Sequence, residues 1–178
     1  MKRTSLVICF VLVFVFGVSW HAFAQSDKGT AREVIKLANN AADFLSENGK
    51  SGIEEFKDKD GRFVKEDIYV YVGNCDRNTA VAHPFKQEIV GKDLSNLQDP
   101  KGNYFALEMC MIKKERPKKG GWVEYWWPKP GEGEPTRKVS YVKQVPGTPY
   151  HVVSGFWTEN ETVEALNSLA DKMYKKSQ

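Results

Sequence analysis

Residues 121–141 read GWVEYWWPKPGEGEPTRKVSY and hold three of the chain's five tryptophans, with two tyrosines and three prolines. Trp122 to Trp127 is rich in the aromatic and branched residues that suit a pleated strand. Pro128, Pro130, Gly131, Gly133 and Pro135 then break the strand, because proline fixes φ and glycine permits positive φ. Alternation resumes at Lys138 as KVSYVKQV. The stretch therefore predicts a β-hairpin with a long, charged tip. On an unbulged strand Trp122, Glu124 and Trp126 share one face, and Val123, Tyr125 and Trp127 share the other. Both faces carry large aromatics, more than a single core-facing side needs. One face is thus available to line a ligand pocket or a docking surface, and the pattern leaves open which.

Outward from the hairpin, Ile68 to Val72 is the clearest strand. Ile68, Val70 and Val72 form an aliphatic face that suits a helix, while Tyr69 and Tyr71 form an aromatic face bearing hydroxyls. Thr79 to Ala82 is the next strand, closed by His83-Pro84-Phe85; the residue before proline is held extended, so His83 stands at the strand's exit. His151 to Trp157 is the last strand, and Gly155 within it predicts a bulge or a close backbone approach. Helices are expected at 27–47, capped by Thr30 with Glu33 three residues on; at 51–57; at 104–114, with Phe105, Met109 and Ile112 on one side; and at 159–175, capped by Thr158. In the first helix Val34, Ile35, Ala38, Ala41, Ala42 and Leu45 fall on one face. This order predicts an α+β domain: a central antiparallel sheet of about five strands, with helices on one face.

Four segments, taken in this order, resemble the single Cache domains, the PAS-like extracytoplasmic sensor modules of bacterial receptors. They are FVKEDIYVYV, AVAHPFKQEIVGKDLSNLQDPKGNYF, GWVEYWWPKPGEGEPTRKVSYVK and, near the end, VVSGFW, with VGKDL and DPKG as internal marks of the second. The likeness covers roughly residues 29–175. It implies a long N-terminal helix packed on the back of the sheet and a ligand pocket on the other side. It also implies small extracellular ligands, short carboxylic acids among them. The residue types fit an anion. Lys138 supplies a cation, Tyr69, Tyr71, Tyr125 and Tyr141 supply donors, and His83 adds another. Phe85, Trp122 and Trp127 are the expected apolar walls. Lys138 and Tyr141 stand three apart, so a regular strand sends them to opposite faces unless a bulge intervenes.

The chain opens MKRTSLVICFVLVFVFGVSWHAFAQ. Lys2 and Arg3, the apolar run Leu6–Trp20 and Ala22-Phe23-Ala24 read as a signal peptide over residues 1–24, cleaved before Gln25. Residues 25–178 are then one domain in the periplasm or outside the cell, and no later apolar run could span a bilayer. The full chain carries a net charge of +3, and losing Lys2 and Arg3 leaves +1, which gives no general field for nucleic acid. Export permits a disulfide between Cys75 and Cys110, which spacing alone does not decide. His83 and His151 offer those cysteines no recognisable metal-ligand spacing, so no metal and no cofactor are expected.

Cache modules are normally followed by a membrane helix and a kinase or methyl-accepting part, none of which precedes Gln178. The expectation is a soluble periplasmic binder of a small organic acid that reports to a membrane receptor, a histidine kinase or a transporter, in signal transduction or chemotaxis. The competing expectation is a secreted interaction module docking through its aromatic hairpin. Catalysis is not expected: Glu124 and Asp99 could make an acid/base pair, but no motif spacing points to one.

Overall fold

The computed structural model describes residues 27–178; the expected signal peptide lies outside the described residues. Six strands form one antiparallel sheet. These are β1 (Val64–Lys65), β2 (Ile68–Asn74), β3 (Thr79–Ala82), β4 (Gly121–Pro128), β5 (Pro135–Gln144) and β6 (Tyr150–Trp157). The order is β1-β2-β6-β5-β4, with β3 also paired to β2. The sixth strand beyond the sequence reading is β1, two residues that pair with the start of β2 and are too short to show alternation.

The hairpin is present as read, with β4 and β5 in unbroken register from Gly121↔Val142 to Pro128↔Pro135. Its strands reach further into the proline-rich stretch than expected, because both prolines sit at strand ends where a missing N–H costs little. No bulge interrupts β5, so Lys138 and Tyr141 do lie on opposite faces. Nor does Gly155 make a bulge: it pairs directly with Ser140, and a Cβ there would collide with the Ser140 hydroxyl and the Val139 carbonyl. It is a close approach of β6 to β5.

Helix α1 (Asp27–Asn48) lies across one face of the sheet. Its stripe of Ala31, Val34, Ile35, Ala38, Ala41, Ala42 and Leu45 is buried against Val70, Val72, Val139 and Val152. The alanines bring the helix close, and each buried Val, Ile or Leu contributes about 1.5–3 kcal/mol over its exposed state. The helix begins three residues before Thr30, which is therefore inside the first turn rather than its cap. A 3-10 segment at Gly49–Phe56 replaces the short helix expected at 51–57. Helix α3 (Val163–Lys176) starts later than expected. Thr158 instead holds a local turn through Asn160 N–H (3.1 Å), and Thr162 caps the helix by accepting from Ala165 N–H (3.2 Å).

Helix α2 (Phe105–Glu115) corrects the expectation that helices cover one face only. Phe105, Ala106 and Met109 pack on the opposite side, against Val123, Tyr125, Val142 and Val153. A disulfide between Cys75 and Cys110, with Cα atoms 5.5 Å apart, ties α2 to the turn after β2. Among the described residues no helix is long and apolar enough to cross a membrane.

Candidate functional site

Antiparallel register decides which side chains meet. Tyr125 stands opposite Lys138, Lys138 opposite Trp157, and Val123 opposite Ser140. Tyr69 and Tyr71 take the same face of β2, since Tyr71 pairs with Val153. The sheet therefore presents Tyr69, Tyr71, Trp157, Lys138, Ser140, Tyr125 and Trp127 on one side. α2 and the loop after β3, with His83 and Phe85, close over them.

Lys138 sits at the centre. Its side chain is buried, only 2% exposed. The Nζ lies 4.0 Å from the centroid of the Tyr69 ring and 4.1 Å from that of Trp157. Among the described residues no carboxylate forms an ion pair with it. Burial pushes its pKa well below the ordinary lysine value, and the charge of Asp67 opposes this only in part. Two aromatic faces are the partial compensation, since a ring quadrupole attracts a cation.

His83 is the second polar group. Its Nδ1 accepts the backbone N–H of Phe85 and of Lys86, both at 3.0 Å. The proton of the neutral ring is thereby placed on Nε2, leaving that nitrogen a donor. Burial first, then the charges of Lys138 and Lys86, hold the ring's pKa down to about 3, so it is neutral at ordinary pH. The imidazole stacks on Tyr71 (5.3 Å, 22°) and tilts against Tyr69 (5.0 Å). The HPF order accounts for this geometry: proline fixes the turn that aims two N–H groups back at the ring.

The tyrosines divide. Tyr71 donates to the Met109 sulfur at 2.8 Å, and Tyr125 hydrogen-bonds Ser140 Oγ at 3.1 Å. Phe105 stacks on Tyr125 (4.5 Å, 10°) and meets Trp127 edge-on (5.5 Å, 67°). Burial raises the pKa of Tyr69, Tyr71 and Tyr125, so all three stay protonated donors. Phe85 packs edge-on to Tyr69 at 5.2 Å.

The structure thus brings together Tyr69, Tyr71, His83, Phe85, Tyr125, Trp127 and Lys138. It separates Trp122 and Tyr141 from them. Those two pack on each other (5.5 Å) in the core under α1, where the Tyr141 hydroxyl is held by the Lys119 carbonyl. The reason is strand parity, because Trp122 pairs with Tyr141 one residue out of phase with Tyr125 and Lys138. Trp157 and Ser140 were missed as site residues. Their signal is the pairing of β5 with β6, which the sequence does not print.

The other groups singled out in the sequence are occupied elsewhere. Asp99 accepts N–H groups from Lys101 (2.8 Å), Asn103 (2.9 Å) and Trp126 (2.9 Å), and the Asn103 amide. Burial would raise its pKa, but these hydrogen bonds outweigh it and hold the carboxyl low. Glu124 pairs with Arg137 at 2.6 Å. Asp99 and Glu124 are thus committed to separate structural contacts. Of the hairpin tryptophans, Trp122 is buried, and Trp126 and Trp127 are half-buried.

A Cache domain family model matches residues 35–177. The methyl-accepting chemotaxis protein McpP of Pseudomonas putida is 33% identical over 91 residues, which are 51% of this chain but only 16% of that protein. Two solved structures superpose with a TM-score of 0.61 at 24% identity, over 75% of this chain. One is described as the periplasmic sensor domain of a chemotaxis protein and is covered over 96% of its length. The other is a Cache chemosensory domain described for its carboxylic acid recognition, covered over 94%. A methyl-accepting chemotaxis protein of Vibrio parahaemolyticus superposes at 0.55 with 18% identity, over 75% of this chain and 86% of its own. At these identities the structural likeness establishes the fold.

Proposed function

The chain belongs to the Cache domain family, and from that premise we propose that it binds short carboxylic acids outside the cytoplasm, as a soluble sensor in signal transduction or chemotaxis. The carrying observation is Lys138, a buried lysine whose Nζ rests on two rings with no carboxylate partner among the described residues. Such a group is costly until an anion reaches it. A ligand carboxylate at Nζ forms a charge-assisted hydrogen bond where little water competes. His83, whose ring stands 5.0 Å from that of Tyr69, and the Tyr69 hydroxyl offer further donors. The carboxylic acid recognition described for one structural neighbour supports the same ligand class. Close aromatic walls favour a small acid. The arrangement serves binding rather than turnover. The bound state is read by a separate membrane receptor, histidine kinase or transporter.

The experiment is a thermal-shift and calorimetric screen of mono- and dicarboxylic acids, with amines as controls. A ligand at 100 times its Kd stabilises the native state by about 2.7 kcal/mol. Lys138→Met keeps the volume and removes the charge, so it should abolish the shift while the free protein stays as stable or gains stability. A Lys138→Met protein that still responds to the same acid, or a wild-type protein that responds only to amines, refutes the assignment.

A further inference from the structure

Cys75 follows β2, Cys110 lies on α2 and His151 stands near the start of β6. Distant in sequence, they converge in space: one ligand atom from each lies within 4.8 Å of the others. Sequence spacing offered no metal motif because the three ligands come from three separate elements.

His151 is the telling member. It is 4% exposed, and its ring occupies the space that a Cβ on Gly73 would need. The ring's Nδ1 lies 3.3 Å from Cys75 Sγ. A disulfide sulfur has no proton to give and accepts weakly. The imidazole is therefore buried against a poor partner, whereas a thiolate-bound cation at that point would satisfy it. The two cysteines are half-buried.

We propose that Cys75, Cys110 and His151, once the disulfide is reduced, form a three-coordinate site for a soft monovalent cation, Cu(I). A phosphine supplies two electrons and takes the oxygen of one water to become its oxide; the S–S bond breaks, and the two protons of that water complete two thiols. Binding of Cu(I) then forms two Cu–S bonds and one Cu–N bond, and releases the two thiol protons to solvent. Thiolate softness selects Cu(I) or Zn(II) over harder ions. Structural Zn(II) takes four ligands, and the described residues supply three within reach. Two thiolates with Cu(I) carry one net negative charge. Lys113, whose charge acts on the His151 ring, offsets it. The ion would take over from the disulfide in fastening α2, and with it Phe105 and Met109, to the sheet.

The test is anaerobic competition. The protein is reduced with a phosphine, desalted, checked by circular dichroism and titrated into Cu(I) held by bicinchoninate, whose colour fades as metal is withdrawn. The reduced protein should withdraw one equivalent per chain, and the oxidised protein none. Cys75→Ser and Cys110→Ser should abolish withdrawal. His151→Gln should weaken it by more than the ten- to hundredfold typical of losing an outer partner of a ligand. The site assignment is overturned by a His151→Gln protein that binds as tightly as the wild type, or by a folded reduced protein that withdraws no copper. Reduction that unfolds the chain without rescue by Cu(I) overturns it equally. Uptake of Zn(II) in preference to Cu(I) overturns the choice of ion.

Discussion

On the side under α1, β2 presents Ile68, Val70 and Val72; one residue out of phase, the same strand presents Tyr69 and Tyr71 to Lys138, His83 and Trp157. β5 repeats the contrast, with Val139 and Tyr141 beneath the helix and Lys138 and Ser140 on the other face. The α1 face is a close-packed aliphatic and aromatic layer whose loss would be felt as stability. The opposite face holds a neutral imidazole and hydrogen-bonded tyrosines around Lys138, a buried amine that has no carboxylate partner among the described residues and costs stability until something pairs with it. Period-two alternation lets one set of strands carry both, so the fold and the candidate site are separable by parity. Substitutions on one face should change stability, and on the other, affinity.

The sharpest way to break this division is Trp122. It is buried, about 1% exposed, and packs on Tyr141 and Phe156 in the α1 layer. Trp122→Ala should cost about 3–5 kcal/mol of unfolding free energy in urea, the usual range for truncating a core tryptophan. Carboxylate affinity measured on the remaining folded protein should be unchanged. A loss under about 1 kcal/mol, or a selective loss of affinity, would mean that this face is not the core.

Acid should act through the other face. His83 and His151 both have pKa values held down to about 3 by burial, against an ordinary 6.5. The unfolded chain takes up these protons as pH falls below 6.5 while the folded chain does not. Their contribution to stability is therefore complete above 6.5 and drains away between 6.5 and about 3. From pH 7 to pH 5 each histidine should account for a loss of about 2 kcal/mol. His83→Gln should remove roughly half of the loss these two produce. Denaturation curves of both proteins at the two pH values check this; identical losses would show that His83 already shares its proton in the folded state.

How far the sequence carried is clear from particular residues. Alternation in IYVYV and KVSYV located the strands and separated Tyr69 from Val70 and Lys138 from Tyr141, because a strand's parity is a local property. The α1 stripe was equally legible, since its apolar period is local too. What could not be read was which parity of β4 and β5 faces the helix. That depends on β5 pairing with β6, and both faces of β4 carry aromatics. Trp122 and Tyr141 were drawn into the candidate site for that reason, and Trp157, opposite Lys138, was left out. The clustering of Cys75, Cys110 and His151 was invisible for the same cause. Helix caps failed more locally. Thr158 and Thr162 are both followed by acidic residues, and the turn at Thr158 absorbs the first of them.

The finest comparison makes one chemical change on each face. Tyr141→Phe and Tyr125→Phe each delete a single buried hydroxyl, the first held by the Lys119 carbonyl and the second by Ser140. Each should lose about 1 kcal/mol of stability, the net worth of one hydrogen bond. Because that loss is shared, it cancels, and any difference in ligand response reports position alone. Tyr125→Phe should weaken carboxylate binding by up to about tenfold, since Ser140 is left unpaired beside Lys138; Tyr141→Phe should leave it unchanged. Calorimetric titration of the pair with one acid decides the matter. If Tyr141→Phe is the weaker binder, the ligand lies under α1, and Lys138 is a buried structural cation rather than the ligand's partner.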